Sequence, residues 1–218
     1  MTIQTMLQEL SRGFLTTLSI FFFTLLGSLP LGLLVHLCRS CRIAPLRWLT
    51  KIYISIMRGT PLMLQLMVVY FGPNLIFGIS TPSNWRSMAV IVAFVINYAA
   101  YFAEIYRGGI ESISLGQYEA AEVLGYSRAQ TYGKIILPQM IKRVLPPVTN
   151  EVITLVKDTS LASVIGVVEM FTHARQIAVA PHSPGMLTFA AAAVFYYVFN
   201  YVVAFVMERI EKALDYYR

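Results

Sequence analysis

The hydropathy pattern divides the chain into five long apolar runs separated by shorter polar segments. Each run is close to the roughly 20 helical residues that cross a hydrocarbon core of about 30 Å. The runs cover residues 15–37, 52–77, 87–106, 145–168 and 186–207. The pattern therefore predicts an all-α membrane protein with five transmembrane helices.

Two of these runs contain helix-breaking residues. Pro30 lies inside the first run and predicts a kink there. In the second run, Arg58, Gly59 and Pro61 interrupt the apolar sequence near its start. Because Pro61 lacks a backbone donor and disfavours helical backbone at Thr60, we expect the first turns of this helix to be bent or broken.

The composition agrees with a membrane protein and limits the chemistry of the chain. Of its 218 residues, 57% are hydrophobic and only 13% are charged, against about 25% charged in soluble proteins. No linker or internal repeat divides the sequence, so we predict one domain over residues 1–218. No G-x-x-x-x-G-K-[ST] sequence is present, so any ATP hydrolysis must come from another polypeptide.

The distribution of basic residues predicts the orientation in the membrane. Most of the 17 lysines and arginines fall in the polar segments 38–51, 107–143 and 208–218. Basic residues concentrate on the cytoplasmic side of a membrane. We therefore predict that the N-terminus is outside and the C-terminus cytoplasmic. The same bias accounts for the net charge of +6, so we predict no nucleic-acid partner.

The longest of these cytoplasmic segments, 107–143, contains the sequence EAAEVLGYSRAQTYGKIILP at 119–138. Ser114 and Gln117, and again Ser127 and Gln130, have the S-x-x-Q spacing of a capping box that starts a helix. Gly125 lies between the two pairs and is placed to end the first helix. We predict two short helices joined at this glycine.

The same segment carries a recognisable motif. The spacing E-A-A-x3-G, then nine residues, then I-x-L-P resembles the coupling loop of ABC-importer permeases. Further segments with the sequences RGTP (58–61), AEIYRGG (103–109) and KDTSL (157–161) are similar to the polar amino acid subgroup of the type I binding-protein-dependent transport family. The four segments span nearly the whole chain.

This resemblance implies the permease subunit of an ATP-driven amino acid importer, in a bacterial plasma (inner) membrane, and no enzymatic activity in this chain. The implied partners are an ABC ATPase that binds ATP and Mg²⁺, an extracellular or periplasmic solute-binding protein, membrane lipid, and a second permease copy or paralogue. We expect the ATPase to dock on the loop at about 107–143. The coupling residues implied are Glu119, Ala120, Ala121, Leu124, Gly125, Ile135 and Leu137.

Ionisable residues in the fourth run form a polar stripe. Glu151, Thr154 and Asp158 have i, i+3 and i+7 spacing, which places them on one helix face. Two carboxylates and a hydroxyl can hold the α-ammonium group or cationic side chain of an amino acid. Alternatively, they pair with Lys157 or Arg58 and fix helix packing. The same two carboxylates also suit the proton relay of an ion-coupled secondary carrier, which is the alternative function.

Polar residues at the inner ends of other runs have similar double interpretations. Arg58 and Thr60 lie at the broken helix, where a guanidinium and free backbone donors suit a substrate carboxylate. Alternatively, Arg58 packs the bend or binds lipid headgroups. We interpret Asn97 as an interhelical hydrogen-bonding residue, and Glu104 with Arg107 as a structural pair on one helix.

The remaining reactive residues predict neither a metal site nor an enzyme. Cys38 and Cys41 form a C-x-x-C near His36, but two thiols supply half a zinc shell and the cytosol keeps them reduced. His173 and His182 fall in a predicted outer loop over 169–185, away from any paired nucleophile.

Overall fold

A computed structural model of the chain describes residues 2–181 and 184–214, and all regular elements in these ranges are helical. His182 lies outside them. The helices are α1 (Ile3–Ser40), α2 (Ala44–Gly59), α3 (Leu62–Phe77), α4 (Trp85–Glu111), α5 (Leu115–Val123), α6 (Arg128–Thr131), a π-helical turn (Tyr132–Ile136), α7 (Leu137–Asp158), a 3₁₀ helix (Thr159–Ile165), α8 (Met170–Ala178) and α9 (Met186–Ala213).

Helices α1 and α4 lie side by side at the centre of the structure. Their backbones approach closely at glycines: a Cβ on Gly32 would lie 2.8 Å from Phe102 Cβ, and one on Gly27 would lie 2.8 Å from Val95 Cγ2. Because the higher number in α1 meets the higher number in α4, the two helices run in the same direction. The main apolar core surrounds α4, with contributions from α1, α3 and α7.

The predicted interruption of the second apolar run is present. Helix α2 ends at Gly59, Thr60 and Pro61 are extended, and α3 begins at Leu62, so that the two helix axes differ by 111°. The physical reason is the one expected, since Pro61 cannot continue the hydrogen-bond ladder of α2. The predicted polar loop 38–51 is much shorter than expected, because α2 already starts at Ala44.

The count of five transmembrane helices is only partly supported. Within the described residues, α1, α4 and α9 are long and apolar enough to span a membrane, and α2 with α3 makes a fourth span if the bent pair is counted as one. The fourth apolar run does not qualify, because α7 carries charged residues along much of its length and continues into a 3₁₀ helix. The orientation of the termini and the single domain stay predictions.

The N-terminal residues are not the exposed lead that their polarity suggests. Helix α1 begins at Ile3, and Met6 and Leu10 are buried against α8 and α9. A Cβ on Gly13 would lie 2.7 Å from the Cα of Met170, so α1 and α8 also pack closely. The first turns of α1 are therefore part of the folded structure, opposite the end that carries the 107–143 segment.

Candidate functional site

The 107–143 segment, called the coupling segment below, has one of its two predicted capping boxes. The Ser127 N–H donates to Gln130 Oε1 (2.8 Å), and the Gln130 N–H donates to Ser127 Oγ (3.3 Å). The box predicted at Ser114 is wrong, because its side chain makes no capping hydrogen bond. Gln117 instead accepts a hydrogen bond from Gln139 Nε2 of α7 (3.1 Å), so it is not available to complete the box.

Gly125 ends α5 as predicted, through a left-handed backbone. Its φ is +76°, its N–H donates to the Glu122 carbonyl (2.9 Å), and the next N–H, of Tyr126, donates to the Ala121 carbonyl (3.0 Å). These two bonds form a Schellman motif, which satisfies carbonyls at the end of a helix. The glycine sets the direction in which the chain leaves α5.

The outer surface of the coupling segment is more apolar than the motif alone indicates. Val123 is 89% exposed and Leu124 is 73% exposed. Glu119 and Ala120 are also exposed, whereas Ala121 is buried. Of the two alanines, only Ala120 is therefore exposed, because Ala121 faces the rest of the chain.

Helix α5 also borders an open groove of about 770 Å³. Ala120, Ala121 and Leu124 line one side, and Ile135 lies opposite. Leu137 is exposed at the start of α7. Tyr118 packs edge-on against Tyr132 at the base of the segment; partial burial raises the pKa of Tyr118 and the neighbouring Tyr132 raises it further. Four of the seven predicted coupling residues thus line one groove.

The polar stripe of α7 is half-buried, with one of its carboxylates engaged. Asp158 Oδ2 accepts a hydrogen bond from the hydroxyl of Tyr98 (2.8 Å), and Lys157 is exposed. The expected alternative partner of Asp158, Lys157, is therefore replaced by a residue of α4. Within the described residues, the Glu151 carboxylate accepts no hydrogen bond and Thr154 is half-buried beside it.

Arg58 lies against Glu104 near the C-terminal end of α4. Its Nη1 is 3.6 Å from Glu104 Oε2, and its guanidinium lies 5.5 Å from the ring centroid of Tyr101. Glu104 also pairs with Arg107 (2.7 Å), as predicted, and with Arg39 of α1. One carboxylate therefore holds α1, α2 and α4 together, and the arrangement supports the structural interpretation of Arg58.

Thr60 stabilises the break between α2 and α3 through its hydroxyl group. Its hydroxyl donates to the Ile56 carbonyl (2.8 Å) and accepts from Gln65 Nε2 (2.8 Å). Asn97 Nδ2 donates to the Met57 carbonyl (3.0 Å) and to Gln65 Oε1 (2.9 Å), so its interhelical role is confirmed. We did not predict Gln65, although it is an isolated amide in an apolar helix.

Two tyrosines of α4 contact these charged groups, and Arg58 also interacts electrostatically with Glu151. Tyr98 bonds Asp158 and Tyr101 faces Arg58, with their ring centroids 6.2 Å apart. Neither tyrosine was predicted, because their spacing in α4 gives no indication of partners in other helices. The structure therefore brings acidic, aromatic and basic groups together on one side of α4.

A further buried carboxylate, also not predicted, lies at the opposite end. Glu169 is fully buried and accepts hydrogen bonds from the N–H groups of Phe171 and Thr172 (both 2.8 Å) and from the hydroxyl of Tyr196 (3.2 Å). It caps α8 and connects it to α9, which is a structural role.

Cys38 and Cys41 are free thiols. Across residues 2–181 and 184–214, no group of three or more His, Cys, Asp or Glu side chains is placed to hold a metal ion.

Comparison with known proteins gives a consistent set of relatives. The family model described as "Binding-protein-dependent transport system inner membrane component" matches residues 28–216. The arginine transport system permease protein ArtQ of Bacillus subtilis (strain 168) is 36% identical over 203 residues, covering 93% of this chain and 91% of the relative. The glutamine transport system permease protein GlnP of Escherichia coli (strain K12) is 36% identical over 205 residues, covering 94% and 92%.

Solved structures show the same fold. A crystal structure of an amino acid ABC transporter with histidines superposes with a TM-score of 0.86 at 31% identity, covering 98% of this chain and all of that chain. An inward-facing structure of the MetNI methionine ABC transporter superposes with a TM-score of 0.71 at 21% identity, covering 98% and 99%. The second similarity is one of fold alone.

Proposed function

The chain belongs to the family of binding-protein-dependent transport system inner membrane components, and from that premise we propose that it forms the translocation path of an ATP-driven amino acid importer. The observation that carries the proposal is identity of 36% over more than nine-tenths of the chain to amino acid transport permeases. The chain itself is a transport subunit, and ATP and Mg²⁺ bind to a partner ATPase.

We propose five crossings of a bacterial inner membrane, with the N-terminus outside and the C-terminus cytoplasmic. The parallel arrangement of α1 and α4 supports this topology, because the α2–α3 pair then returns the chain to the outer side between them. Helix α7 with its 3₁₀ extension makes the fourth crossing, since its polar stripe faces protein rather than lipid. Two copies of this chain, or this chain and a paralogue, enclose the path.

The coupling segment docks the ATPase in this proposal. Its support is the exposed apolar surface at Val123 and Leu124, which has no partner within the described residues. Glu119 and the Gly125 turn keep the segment in shape. ATP-driven closure of the ATPase dimer then moves the two coupling segments and alternates access to the path as a rigid-body rotation. A solute-binding protein delivers substrate to the outer side.

The polar stripe holds the substrate ammonium group. Glu151 is the strongest candidate because it is half-buried and accepts no hydrogen bond within the described residues, and Asp158 is held beside it by Tyr98. Two carboxylates next to tyrosine rings suit a cationic or zwitterionic amino acid. Arg58 and Thr60 are secondary candidates, because both already have partners, although the Arg58 side chain remains 45% exposed.

An ion-coupled secondary carrier is not favoured, because the relatives are ABC transporter permeases.

The experiment that tests the proposal uses the permease copurified with its ATPase. Glu151→Gln keeps the shape of the side chain and removes its charge, so we expect binding and ATP-driven uptake of a cationic amino acid to fall at least tenfold while the complex assembles normally. Glu208→Gln, the same change at an exposed carboxylate of α9, is the matched control. Unchanged uptake in Glu151→Gln would place substrate selection outside the polar stripe, and absence of ATP-dependent uptake in the wild type would overturn the proposed function itself.

A further inference from the structure

Helix α2 has one face that packs on the protein and two exposed faces of different chemistry. Thr50 and Ile54 are buried, with Ile54 against Ala100 and Ala103 of α4. The hydroxyl of Tyr53, on α2, donates a hydrogen bond to the backbone carbonyl of Ile96 on α4. The contacts fix which side of α2 faces the protein.

The exposed faces separate basic from apolar residues. At roughly 100° per residue, Arg47, Lys51 and Arg58 share one face. Trp48, which is 64% exposed, and the exposed Leu49 lie on an apolar face roughly 140° around the helix from the basic face. The buried face of α2 lies between the basic face and the apolar face, on the side that contacts the protein. A helix with this distribution, lying along a membrane surface, directs its charges to water and its apolar residues to hydrocarbon.

The orientation of α2 agrees with that position. Its axis differs by 111° from the axis of α3, so when α3 crosses the membrane α2 runs close to the membrane plane. It contacts α4 between Ile96 and Glu104, towards the end of α4 that leads into the coupling segment. Trp48 then lies at the depth where tryptophan is enriched, the boundary between headgroups and acyl chains.

The basic residues of this region have no acidic residue near them in the sequence, and few of them form an ion pair in the structure. No Asp or Glu occurs between residues 38 and 61. Arg39 and Arg58 pair with Glu104, but Arg42, Arg47 and Lys51 are exposed and form no ion pair within the described residues. Three exposed cations within ten residues of chain, in a segment that also carries the exposed Trp48, are complementary to an anionic lipid headgroup.

The inside of the α2–α3 bend adds an apolar notch of about 300 Å³. Ile56 of α2, Leu64 and Val68 of α3 and Ile96 of α4 line it. The polar side chains at its edge already bond each other and the backbone, so the notch presents an almost wholly apolar surface. An acyl chain that descends past α2 fits such a surface.

We propose that α2 is an interfacial helix that binds an anionic phospholipid of the cytosolic leaflet. Arg42, Arg47 and Lys51 hold the phosphate headgroup, Trp48 lies at the headgroup boundary, and an acyl chain occupies the notch at the bend. The inference uses the proposed membrane orientation but not the transport activity, so a lipid-binding measurement separates its failure from failure of the proposed function.

The test measures lipid binding to the purified full-length chain in detergent, by native mass spectrometry with titrated phosphatidylglycerol or phosphatidylcholine. One Lys or Arg near an anionic surface changes affinity about fivefold, so Arg47→Gln with Lys51→Gln should weaken phosphatidylglycerol binding about 25-fold and leave phosphatidylcholine unaffected. The matched control, Arg128→Gln with Lys134→Gln, removes two exposed cations from the coupling segment and should bind phosphatidylglycerol as the wild type does.

Three results would overturn the proposal. These are equal retention of the two lipids by the wild type, an unchanged phosphatidylglycerol affinity in the Arg47/Lys51 variant, and displacement of the lipid by millimolar inorganic phosphate, which would indicate a simple anion site. Both substituted residues are exposed, and a circular dichroism spectrum checks that the variant is folded. Lys51→Gln alone should give the single-residue effect, about fivefold.

Discussion

Replacing Gly125 by alanine tests whether the left-handed turn after α5 sets the geometry of the coupling segment. The residue has a φ of +76°, and a Cβ at this position would meet no atom within 4 Å. The substitution therefore introduces backbone strain without a steric clash. Its effect reports the conformation of the turn alone.

The expected size of the effect follows from the backbone. An L-residue in the left-handed region costs about 1–2 kcal/mol. Helix α5 has nine residues, fewer than the roughly 12–15 at which an isolated helix becomes marginally stable. Such a short helix does not hold the strained turn in place. We therefore expect the population of the native turn to fall about 5- to 30-fold relative to other backbone conformations.

Two measurements check this expectation: copurification of the ATPase with tagged permease, and ATP-driven uptake in proteoliposomes. Gly125→Ala should reduce both several-fold. Gly125→Asn should retain more of each, because asparagine tolerates the left-handed region better than alanine. Gly133→Ala is the matched control, since that glycine also has open space around it but no positive φ.

The reasoning is refuted if Gly125→Ala matches the wild type in both assays. A loss of uptake with normal ATPase copurification would instead place the effect of the turn in signal transmission and not in docking, which contradicts the docking role proposed for the segment.

Three further substitutions test the packing of the fold by thermal unfolding in detergent. Gly13→Ala should lower stability by about 1–3 kcal/mol, because its Cβ would lie 2.7 Å from the Met170 Cα. A backbone atom cannot shift out of the way as the end of a flexible side chain can. Glu104→Gln should cost more than Glu111→Gln, since the first removes the shared partner of three arginines and the second only an exposed pair, worth about 0–1 kcal/mol; equal losses would contradict this. Asn97→Leu should cost about 1–3 kcal/mol through the Gln65 amide oxygen that it leaves unpaired, and an unchanged melting temperature would show that the network is not needed.

The features that were predicted correctly depend on residues close together in the sequence. The break before Leu62 follows from Pro61, whose missing donor acts on its own helix. The box at Ser127 and the turn at Gly125 likewise involve partners within five residues. The start of α1 at Ile3 could also have been predicted from nearby residues, because Met6 and Leu10 have the i, i+4 spacing of a buried helix face. The high average polarity of the first residues argued against a buried helix there.

The features that were missed depend on partners far away in the sequence. Gln117 has the spacing of a capping box, yet it bonds Gln139 of another helix. Asp158 has an adjacent lysine, yet it bonds Tyr98, sixty residues earlier. In each case a local partner was present and a distant one replaced it, and only the packing of the helices determines which of the two is used.

Helix α4 connects these local and distant features. Adjacent residues of α4 carry two of these contacts: Asn97 holds the break between α2 and α3, and Tyr98 holds Asp158 of the polar stripe. About two turns later, Glu104 holds arginines from α1 and α2. The next turns lead directly into the coupling segment. Because these polar groups have partners in α1, α2, α3 and α7, α4 connects four other helices. The stability lost in Glu104→Gln and Asn97→Leu therefore measures how much the polar contacts of α4 contribute to holding α1, α2 and α3 against it.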